Sequence, residues 1–282
     1  SNFLPTGKGQ LGDNTILDKS SPVLVVGGHS FIQVAAGSIH SLALKADGSV
    51  YAWGDNAFGR LGDNSTVSKS SPVPVSGSHA FIQVAGGFNH SLALKADGSV
   101  YAWGYNGLGQ LGDNTVVSKS TPVPVSGSHA FIQVAGGLNY SLALKADGSV
   151  YAWGLNTNGQ LGDNSIVNKS TPVPVSGSHA FIQVAGASHS LALKADGSVY
   201  AWGLNSNGQL GDNSTVSKSS PVPVFNTNIN LLISDLSGST MRRIYDVTPG
   251  DSISYKIGKS PNYFGNFVIA SDITEILLQY YE

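Results

Sequence analysis

Residues 90–104 read HSLALKADGSVYAWG, and this stretch decides the fold because it recurs along the chain. It is identical at residues 40–54 and 189–203, and at residues 140–154 only the first letter differs, Tyr replacing His. The tryptophans of the four copies are spaced by 50, 50 and 49 residues, at Trp53, Trp103, Trp153 and Trp202. A fixed period of this size is typical of solenoids and propellers, in which each repeat is one supersecondary unit. The chain is therefore built from near-identical units.

Each unit contains four short apolar segments that predict four strands. In residues 31–75 they are FIQV, SLAL, VYAW and SPVPV, each too short for a helix and bounded by turn residues. Asp47-Gly48 joins the second segment to the third, and this dipeptide favours a tight antiparallel hairpin. The fourth segment carries Pro72 and Pro74, which donate no ladder hydrogen bonds, so we expect it at the edge of the sheet. A four-stranded antiparallel sheet repeated in this way predicts propeller blades.

Composition excludes several classes of partner. Only 11% of the 282 residues are charged and the formal net charge is −2, which gives no electrostatic footprint for nucleic acid or an anionic membrane. The chain has no cysteine, which removes disulfides and thiolate metal sites. No apolar run is long enough to span a bilayer, and residues 1–5 lack the features of a signal peptide. We expect neither nucleic-acid binding nor membrane insertion. A processed N-terminus and an incomplete one are both compatible with the sequence.

The repeats stop before the chain does. Complete units begin near Phe31, Phe81, Phe131 and Phe181. Residues 1–30 read as the second half of another blade, with GKGQLGDN followed by SPVLV. The period ends after Pro223, so we assign residues 1–225 to the repeats and 226–282 to a small C-terminal β module with strands at NLLISDL, MRRIYDV, SISYKIG, NFVIA and EILLQYY. We expect this module to serve in blade closure, oligomerisation or attachment, because unpaired sheet edges need protection.

The repeated string HSLALKADGSVYAWGxNxxGQLGDN resembles the regulator of chromosome condensation repeat family over about residues 1–224. The resemblance implies an all-β, RCC1-like β-propeller, commonly of seven blades, and a role in protein recognition. Family members include a guanine-nucleotide exchange factor for a small nuclear GTPase and a secreted β-lactamase inhibitor, so fold alone does not fix function. This chain departs from the pattern, since it supplies four complete four-stranded blades plus a half blade. In the C-terminal module, VTPGDSISYKIG followed by FGNFVIA resembles phage tail-fibre and surface-adhesin modules.

No motif indicates catalysis, a cofactor or a metal. Residues 7–12 and 107–112 satisfy GxGxxG, but no βαβ unit surrounds them, so they are repeat loops and not a dinucleotide site. The Asp of each LGDN is typical of an Asx turn, and no array of carboxylates accompanies it to bind calcium. Two series of histidines recur with the period, which indicates packing or turn roles: His29, His79, His129 and His179, and His40, His90 and His189. We expect a protein that is not an enzyme.

The units differ at few positions, and those positions fall in two loops of each unit. One loop follows the first strand and the other follows the third strand, as in residues 38–40 and 55–58. In an up-and-down blade both loops lie on the same face. Large apolar or aromatic residues there are typical of recognition surfaces on a rigid scaffold. The alternative is drift after recent duplication, with some of these side chains in the central channel. The predicted contact residues are Phe58, Phe88, Asn89, Tyr105, Leu108, Leu138, Tyr140, Leu155 and Leu204.

These observations predict a non-catalytic recognition or adhesion protein. The first hypothesis is an extracellular or virion-surface component, such as a phage tail fibre or bacterial surface protein, that binds a glycan or protein receptor. The alternative is a cytoplasmic, protein-binding scaffold, regulator or inhibitor of the repeat family. A homo-oligomer or a larger virion or surface assembly stays open in either case.

Overall fold

The structure, a computed structural model, describes residues 7–224 and four strands of the C-terminal part, at 231–234, 241–244, 252–256 and 264–268. Contacts divide the chain into two compact units, Ser1–Val224 and Phe225–Glu282. All four repeats lie in the first unit.

The first unit contains four antiparallel sheets, each formed by four consecutive strands in the order first, second, third, fourth. This is the predicted blade, and it confirms the all-β fold. The first blade comprises β1 Gln33–Ala36, β2 His40–Leu44, β3 Val50–Gly54 and β4 Lys69–Pro74; the second β5 Phe81–Gly86, β6 His90–Lys95, β7 Val100–Gly104 and β8 Lys119–Pro124; the third β9 Phe131–Gly136, β10 Tyr140–Lys145, β11 Val150–Gly154 and β12 Lys169–Pro174; the fourth β13 Phe181–Gly186, β14 His189–Lys194, β15 Val199–Gly203 and β16 Lys218–Pro223.

The hairpin between the second and third strands of each blade follows from its Asp-Gly sequence. In the second blade, Lys95 N donates to Ser99 O at 2.9 Å and Gly98 N donates to Lys95 O at 3.0 Å. Gly98 has φ +82 and Asp97 accepts the Ser99 N–H at 2.9 Å. Only the glycine takes a positive φ, so the loop is a four-residue turn closed by a left-handed glycine, one of the common hairpin connections. The predicted hairpin is confirmed.

The proline-bearing fourth strand lies at the edge of every blade, as predicted. In the second blade, β8 pairs with β7 through Pro124 opposite Tyr101 and Val123 opposite Ala102, and the register shifts before Gly104. The second and third strands are nearly all buried, whereas the fourth is half-buried. This difference in burial follows from the edge position of the fourth strand. Its prolines donate no backbone hydrogen bonds, so the strand pairs with a neighbour on one side only.

The core lies between successive blades. Each of the first three blades packs the leucines and valines of its second and third strands against the next blade's phenylalanine, valine and tryptophan. In the first contact the cluster comprises Leu42, Leu44, Val50, Ala52 and Leu61 from one blade and Phe81, Val84, Ala93 and Trp103 from the next. Full burial of one such side chain contributes roughly 1.5–3 kcal/mol, so blade stacking holds this unit together.

A loop of each of the first three blades also binds the tryptophan of the next blade. The indole Nε1 of Trp103 donates to Arg60 O at 2.9 Å, and Ser91 Oγ donates to the same carbonyl at 2.8 Å. Gly62 has φ +70, and a Cβ at this position would lie 2.7 Å from the indole Nε1, so the loop needs glycine there. The repeated tryptophans Trp103, Trp153 and Trp202 thus pack between neighbouring blades.

The N-terminal half blade forms its loop but not its strand. Trp53 Nε1 donates to Gln10 O at 2.8 Å, and Asn14 N donates to Ser70 O at 2.8 Å, which are the bonds that each complete blade makes to the next. Within residues 7–30 no strand is present. In the complete blades the fourth strand bonds to the third strand of its own blade, whereas none of the described residues pairs with residues 21–25.

The second unit contains two antiparallel hairpins. In the first, β17 Leu231–Ser234 pairs with β18 Met241–Ile244; in the second, β19 Ser252–Lys256 pairs with β20 Phe264–Val268. Four of the five predicted tail strands are therefore present, and the fifth, EILLQYY, lies outside the described residues.

Candidate partner-binding face

The two variable loops of each blade emerge at the same end of the sheet, because the four strands form an antiparallel meander. We call this end the variable-loop face; it comprises residues 37–39 and 55–68 of the first blade and the equivalent loops of the other three. The Asp-Gly hairpins lie at the opposite end.

Backbone hydrogen bonds hold the variable-loop face together. Within a blade the two loops are joined, since Tyr105 N donates to Asn89 O at 2.9 Å and Leu155 N donates to Asn139 O at 2.8 Å. Between blades, Phe88 N donates to the carbonyl of Gly137 at 3.1 Å. These bonds fix the positions of the side chains that the loops carry.

A buried asparagine and an aspartate organise the longer loop from within. Asn106 is completely buried; its Oδ1 accepts from Leu111 N at 2.9 Å and its Nδ2 donates to Asp113 Oδ1 at 3.0 Å. Asp113 also accepts the Thr115 N–H at 3.0 Å, which confirms the Asx turn predicted for LGDN. The same arrangement recurs in every blade, at Asn56, Asn156 and Asn205. Sequence reasoning missed these asparagines, although they recur in all four units.

Eight of the nine predicted contact residues retain some solvent exposure on this face. Phe58 and Phe88 are each 41% exposed, and the rings of Phe58 and Tyr105 lie 4.9 Å apart. The half-buried members of the set are Asn89, Tyr105, Leu108, Leu138, Leu155 and Leu204. Leu155 also packs against the core between the third and fourth blades, so part of its side chain serves stability.

The ninth residue, Tyr140, is not at the surface, and its prediction as a contact residue is wrong. Its side chain is completely buried, and its hydroxyl donates to His189 O at 2.7 Å and lies 2.9 Å from Ser190 Oγ. Burial raises the pKa of this hydroxyl. Tyr140 takes the place of the histidines in the first two blades: His90 Nε2 lies 2.9 Å from Ser141 Oγ. The difference between Tyr140 and the histidines of the other blades is therefore a difference in the contact between neighbouring blades.

The first blade carries an ion pair that no other blade has. Asp55 and Arg60, 6% and 1% exposed, are joined at 3.1 Å between Oδ1 and Nη2. The ring of Phe58 lies 5.4 Å from the guanidinium carbon. Burial lowers the pKa of Arg60, and its Nε and Nη1 have no hydrogen-bond partner within the described part of the chain. The other blades have glutamine in place of Arg60.

A groove opens where the first strands of the four blades end on this face. Its volume is about 250 Å³, and glycine-rich backbone lines it together with the side chains of Phe88 and Leu138. Small-molecule pockets usually measure ~300–1,000 Å³, so the groove suits one apolar side chain of a partner better than a whole metabolite.

Nothing in the described residues indicates a cofactor or a metal. No group of three His, Asp or Glu side chains is placed to hold a metal ion in residues 7–224 and the tail strands. The GxGxxG segments lie in turns that precede no helix in this part of the chain. The described residues also contain no helix that is long and apolar enough to cross a membrane.

The stacked blades, the tryptophan joints and the loop-bearing face define a repeat β-propeller, a protein-binding fold. The chain belongs to the RCC1-like domain family, whose family model matches residues 5–255. This match confirms the resemblance found in the repeats, and it extends beyond Val224 into the strands of the C-terminal unit.

Solved structures agree with this assignment. Human WBSCR16 is 28% identical with a TM-score of 0.69, over 78% of this chain and 61% of that chain. Prp20p from Saccharomyces cerevisiae, a structure described with its binding properties to Gsp1p and histones, is 26% identical with a TM-score of 0.65, over 72% of this chain and 52% of that one. Human Alsin is 44% identical over 54 residues, which are 18% of this chain and 3% of Alsin. The chain thus spans less than two thirds of each relative.

Proposed function

We propose that this chain is a non-catalytic recognition module that binds a protein partner through the variable-loop face, as a regulator or scaffold of the RCC1-like type. One observation carries the proposal: in a chain of near-identical repeats, differences concentrate in these loops, and two of the differing residues, Phe58 and Phe88, are exposed aromatic rings. Solvated polar residues would be expected in surface loops that bind nothing.

The form of the face supports a protein partner. Aromatic side chains are enriched at protein interfaces. The rings of Phe58 and Tyr105 lie 4.9 Å apart, on loops that hydrogen bonds hold in place. Such loops lose little conformational entropy on binding. The groove beside Phe88 has the size of a single inserted side chain, which is how one partner residue anchors an interface.

The relatives suggest the first partners to test. The structure of Prp20p is described with binding to Gsp1p and histones. Gsp1p and histones are therefore the first two candidate partners to test with this chain, ahead of an unbiased search.

Surface adhesion stays a prediction. The similar proteins reported above favour the regulator alternative, and neither the extracellular or virion location nor a glycan receptor has support among them. The tail segments that resemble tail-fibre modules include the paired strands β19 and β20. A glycan array probed with the purified chain is the direct assay for this hypothesis.

The deciding experiment compares two double variants with the wild type in quantitative binding to Gsp1p, histones and proteins recovered by proximity labelling. Phe58→Ser with Phe88→Ser removes the exposed rings from the variable-loop face. Ile82→Ser with Ile132→Ser is the matched control, because both isoleucines are 56% exposed but lie on first strands. We expect the first variant to lose affinity at least tenfold and the control to retain it. Equal affinities of the two variants for every partner would refute the proposal.

A further inference from the structure

The loop between β3 and β4 of the first blade contains a buried cation with unused hydrogen-bond donors. Arg60 is 1% exposed and lies in the contact between the first two blades, where its backbone carbonyl accepts from Trp103 and Ser91. Its Nη2 pairs with Asp55, whereas Nε and Nη1 have no hydrogen-bond partner in the described part of the chain. A complete blade stands on each side of this contact. The unused donors therefore belong to the interior of the repeat array.

Comparison with the other blades shows what this loop lacks. Their equivalent of Arg60 is a glutamine, whose Oε1 accepts from the backbone N–H two residues earlier: Leu108 at 3.0 Å, Asn158 at 2.8 Å and Asn207 at 2.8 Å. An arginine side chain carries no acceptor. Phe58 N, which holds the equivalent position, therefore has no side-chain acceptor of this kind. Exchange of glutamine for arginine leaves the loop with donors that call for oxygen atoms.

The positive charge of Arg60 is only partly compensated. Burial lowers the pKa of its guanidinium, although the Asp55 carboxylate acts in the opposite direction. Burial also lowers the pKa of His40, and the charge of Arg60 lowers it further. Both shifts indicate a positive local potential. The surroundings of Arg60 therefore favour an anion over a second cation.

The ring of Phe58 covers the guanidinium. Its centroid lies 5.4 Å from the guanidinium carbon of Arg60, and Phe58 is itself 41% exposed. The backbone of this turn is held in place, since Gly59 N donates to Asn56 O and Leu61 N donates to Asn56 Oδ1, both at 2.9 Å. Rotation of the Phe58 side chain alone can thus uncover Arg60, and exposed side chains rotate within picoseconds to nanoseconds.

We propose that Arg60 binds a carboxylate of the partner protein, which enters when the ring of Phe58 turns aside. A carboxylate is planar and anionic, and its two oxygens match the donor fork of a guanidinium. These oxygens supply the kind of acceptor that Gln110 provides in the second blade. The inference deepens the proposed function and rests on it for the source of the carboxylate, which is an acidic side chain or a chain end.

The first test uses the full chain and sodium acetate as the probe, exchanged for sodium chloride at constant ionic strength. The sequence contains three arginines, Arg60, Arg242 and Arg243, so the arginine Nε–H region of a heteronuclear NMR spectrum holds three signals. The signal missing from the double variant Asp55→Leu with Arg60→Gln is that of Arg60. We expect acetate to shift this signal saturably and to leave the other two unchanged. Methyl acetate, a neutral ester, should shift none of them.

A single variant tests the role of the ring. Phe58→Ser removes the cover, so the apparent Kd for acetate should fall at least threefold, because the open state no longer has to be populated first. Ile82→Ser is the matched control, since Ile82 is also exposed but lies on a first strand, and its Kd should equal that of the wild type. Circular dichroism checks that each variant is folded. An Arg60 signal that ignores acetate, or equal Kd values for Phe58→Ser and Ile82→Ser, would overturn the proposal.

Two further probes identify the source of the carboxylate. Acetylglutamate methylamide presents a side-chain carboxylate and acetylglycine presents a chain end, and the tighter of the two shows which one the site accepts.

The double variant Asp55→Leu with Arg60→Gln links the site to the partner. It leaves the net charge unchanged, so overall electrostatics do not account for a loss of binding. We expect its affinity for a bound partner to fall at least tenfold. A partner held equally well by the double variant and the wild type would refute the carboxylate site and leave the proposed function standing. A chain that binds acetate at Arg60 but no protein would refute the proposed function and leave the anion site standing.

Discussion

The buried pair of Asp55 and Arg60 provides a sharp prediction about stability. Replacing Arg60 by Gln restores the residue of the other blades but leaves the Asp55 carboxylate buried, with Ala57 N at 3.1 Å as its remaining hydrogen-bond donor. Removing one member of a buried ion pair costs about 3–5 kcal/mol. We expect the lower end, about 3 kcal/mol, because Asp55 keeps the Ala57 N–H as a donor and is 6% exposed.

The double variant Asp55→Leu with Arg60→Gln should recover this loss. It reproduces the third blade, in which Leu155 packs against the core and Gln160 Oε1 accepts from Asn158 N at 2.8 Å. It also removes the two guanidinium nitrogens of Arg60 that lack partners in the described part of the chain. Replacement of a buried ion pair by packed residues is often neutral or stabilising by about 1–4 kcal/mol. The double variant should therefore equal or exceed the wild type.

Urea unfolding of the wild type, both single variants and the double variant measures the coupling free energy. Distant, independent sites add within about 0.5 kcal/mol. A coupling of at least about 2 kcal/mol is expected here. A value within the additive range, or a stabilising Arg60→Gln on its own, would refute the reasoning.

Three further predictions concern the inter-blade joints. Burial lowers the pKa of His40 and His90 to about 3, below the ~6.5 of an unfolded histidine, so the unfolded chain binds protons first as the pH falls. The free energy of unfolding should be at its full value above about pH 6.5 and decline towards pH 3, with a loss near pH 5 of roughly 2 kcal/mol for each histidine. Urea unfolding midpoints above about pH 6.5 and near pH 5 measure this loss. Equal midpoints at both pH values would contradict the burial of neutral imidazole rings. Tyr140→Phe should lower the free energy of unfolding by about 1–3 kcal/mol in the same assay and leave partner affinity unchanged. Weaker binding with unchanged stability would instead show that Tyr140 contacts the partner. Gly98→Ala should lower the melting temperature more than Gly197→Ala, because both backbones are left-handed but only the first Cβ meets the next blade, at 2.7 Å; equal shifts would mean that this contact adds nothing.

Local sequence chemistry was enough to predict the blade. Asp47-Gly48 fixed the hairpin, Pro72 and Pro74 identified the edge strand, and the four-strand order then placed both variable loops at one end. Each of these residues acts through its own backbone, so no knowledge of distant contacts was needed. The N-terminal half blade was predicted only in part, because a strand requires a pairing partner and residues 21–25 have none among the described residues.

The site was harder to predict, because comparison of repeats detects variation without detecting burial. Tyr140 varies, but it fills an inter-blade joint next to a fourth unit that is one residue shorter. Asp55 and Arg60 each resemble drift when considered singly, and only their 3.1 Å separation shows that they form a pair. A signal was present in the sequence, because only 11% of its residues are charged and yet one loop carries two charges of opposite sign where the other units have neutral residues.

The tryptophan joint has a consequence for how such a protein can evolve. Trp103 and Trp153 donate to a main-chain carbonyl, at Arg60 in one case and at Gln110 in the other, and both bonds measure 2.9 Å. Since the acceptor belongs to the backbone, the side chain at that position can change without loosening the joint. The tryptophan bond is thus independent of the loop side chains that differ between blades, such as Arg60 and Gln110. Repeats copied from one another can diverge in specificity while their architecture is inherited intact.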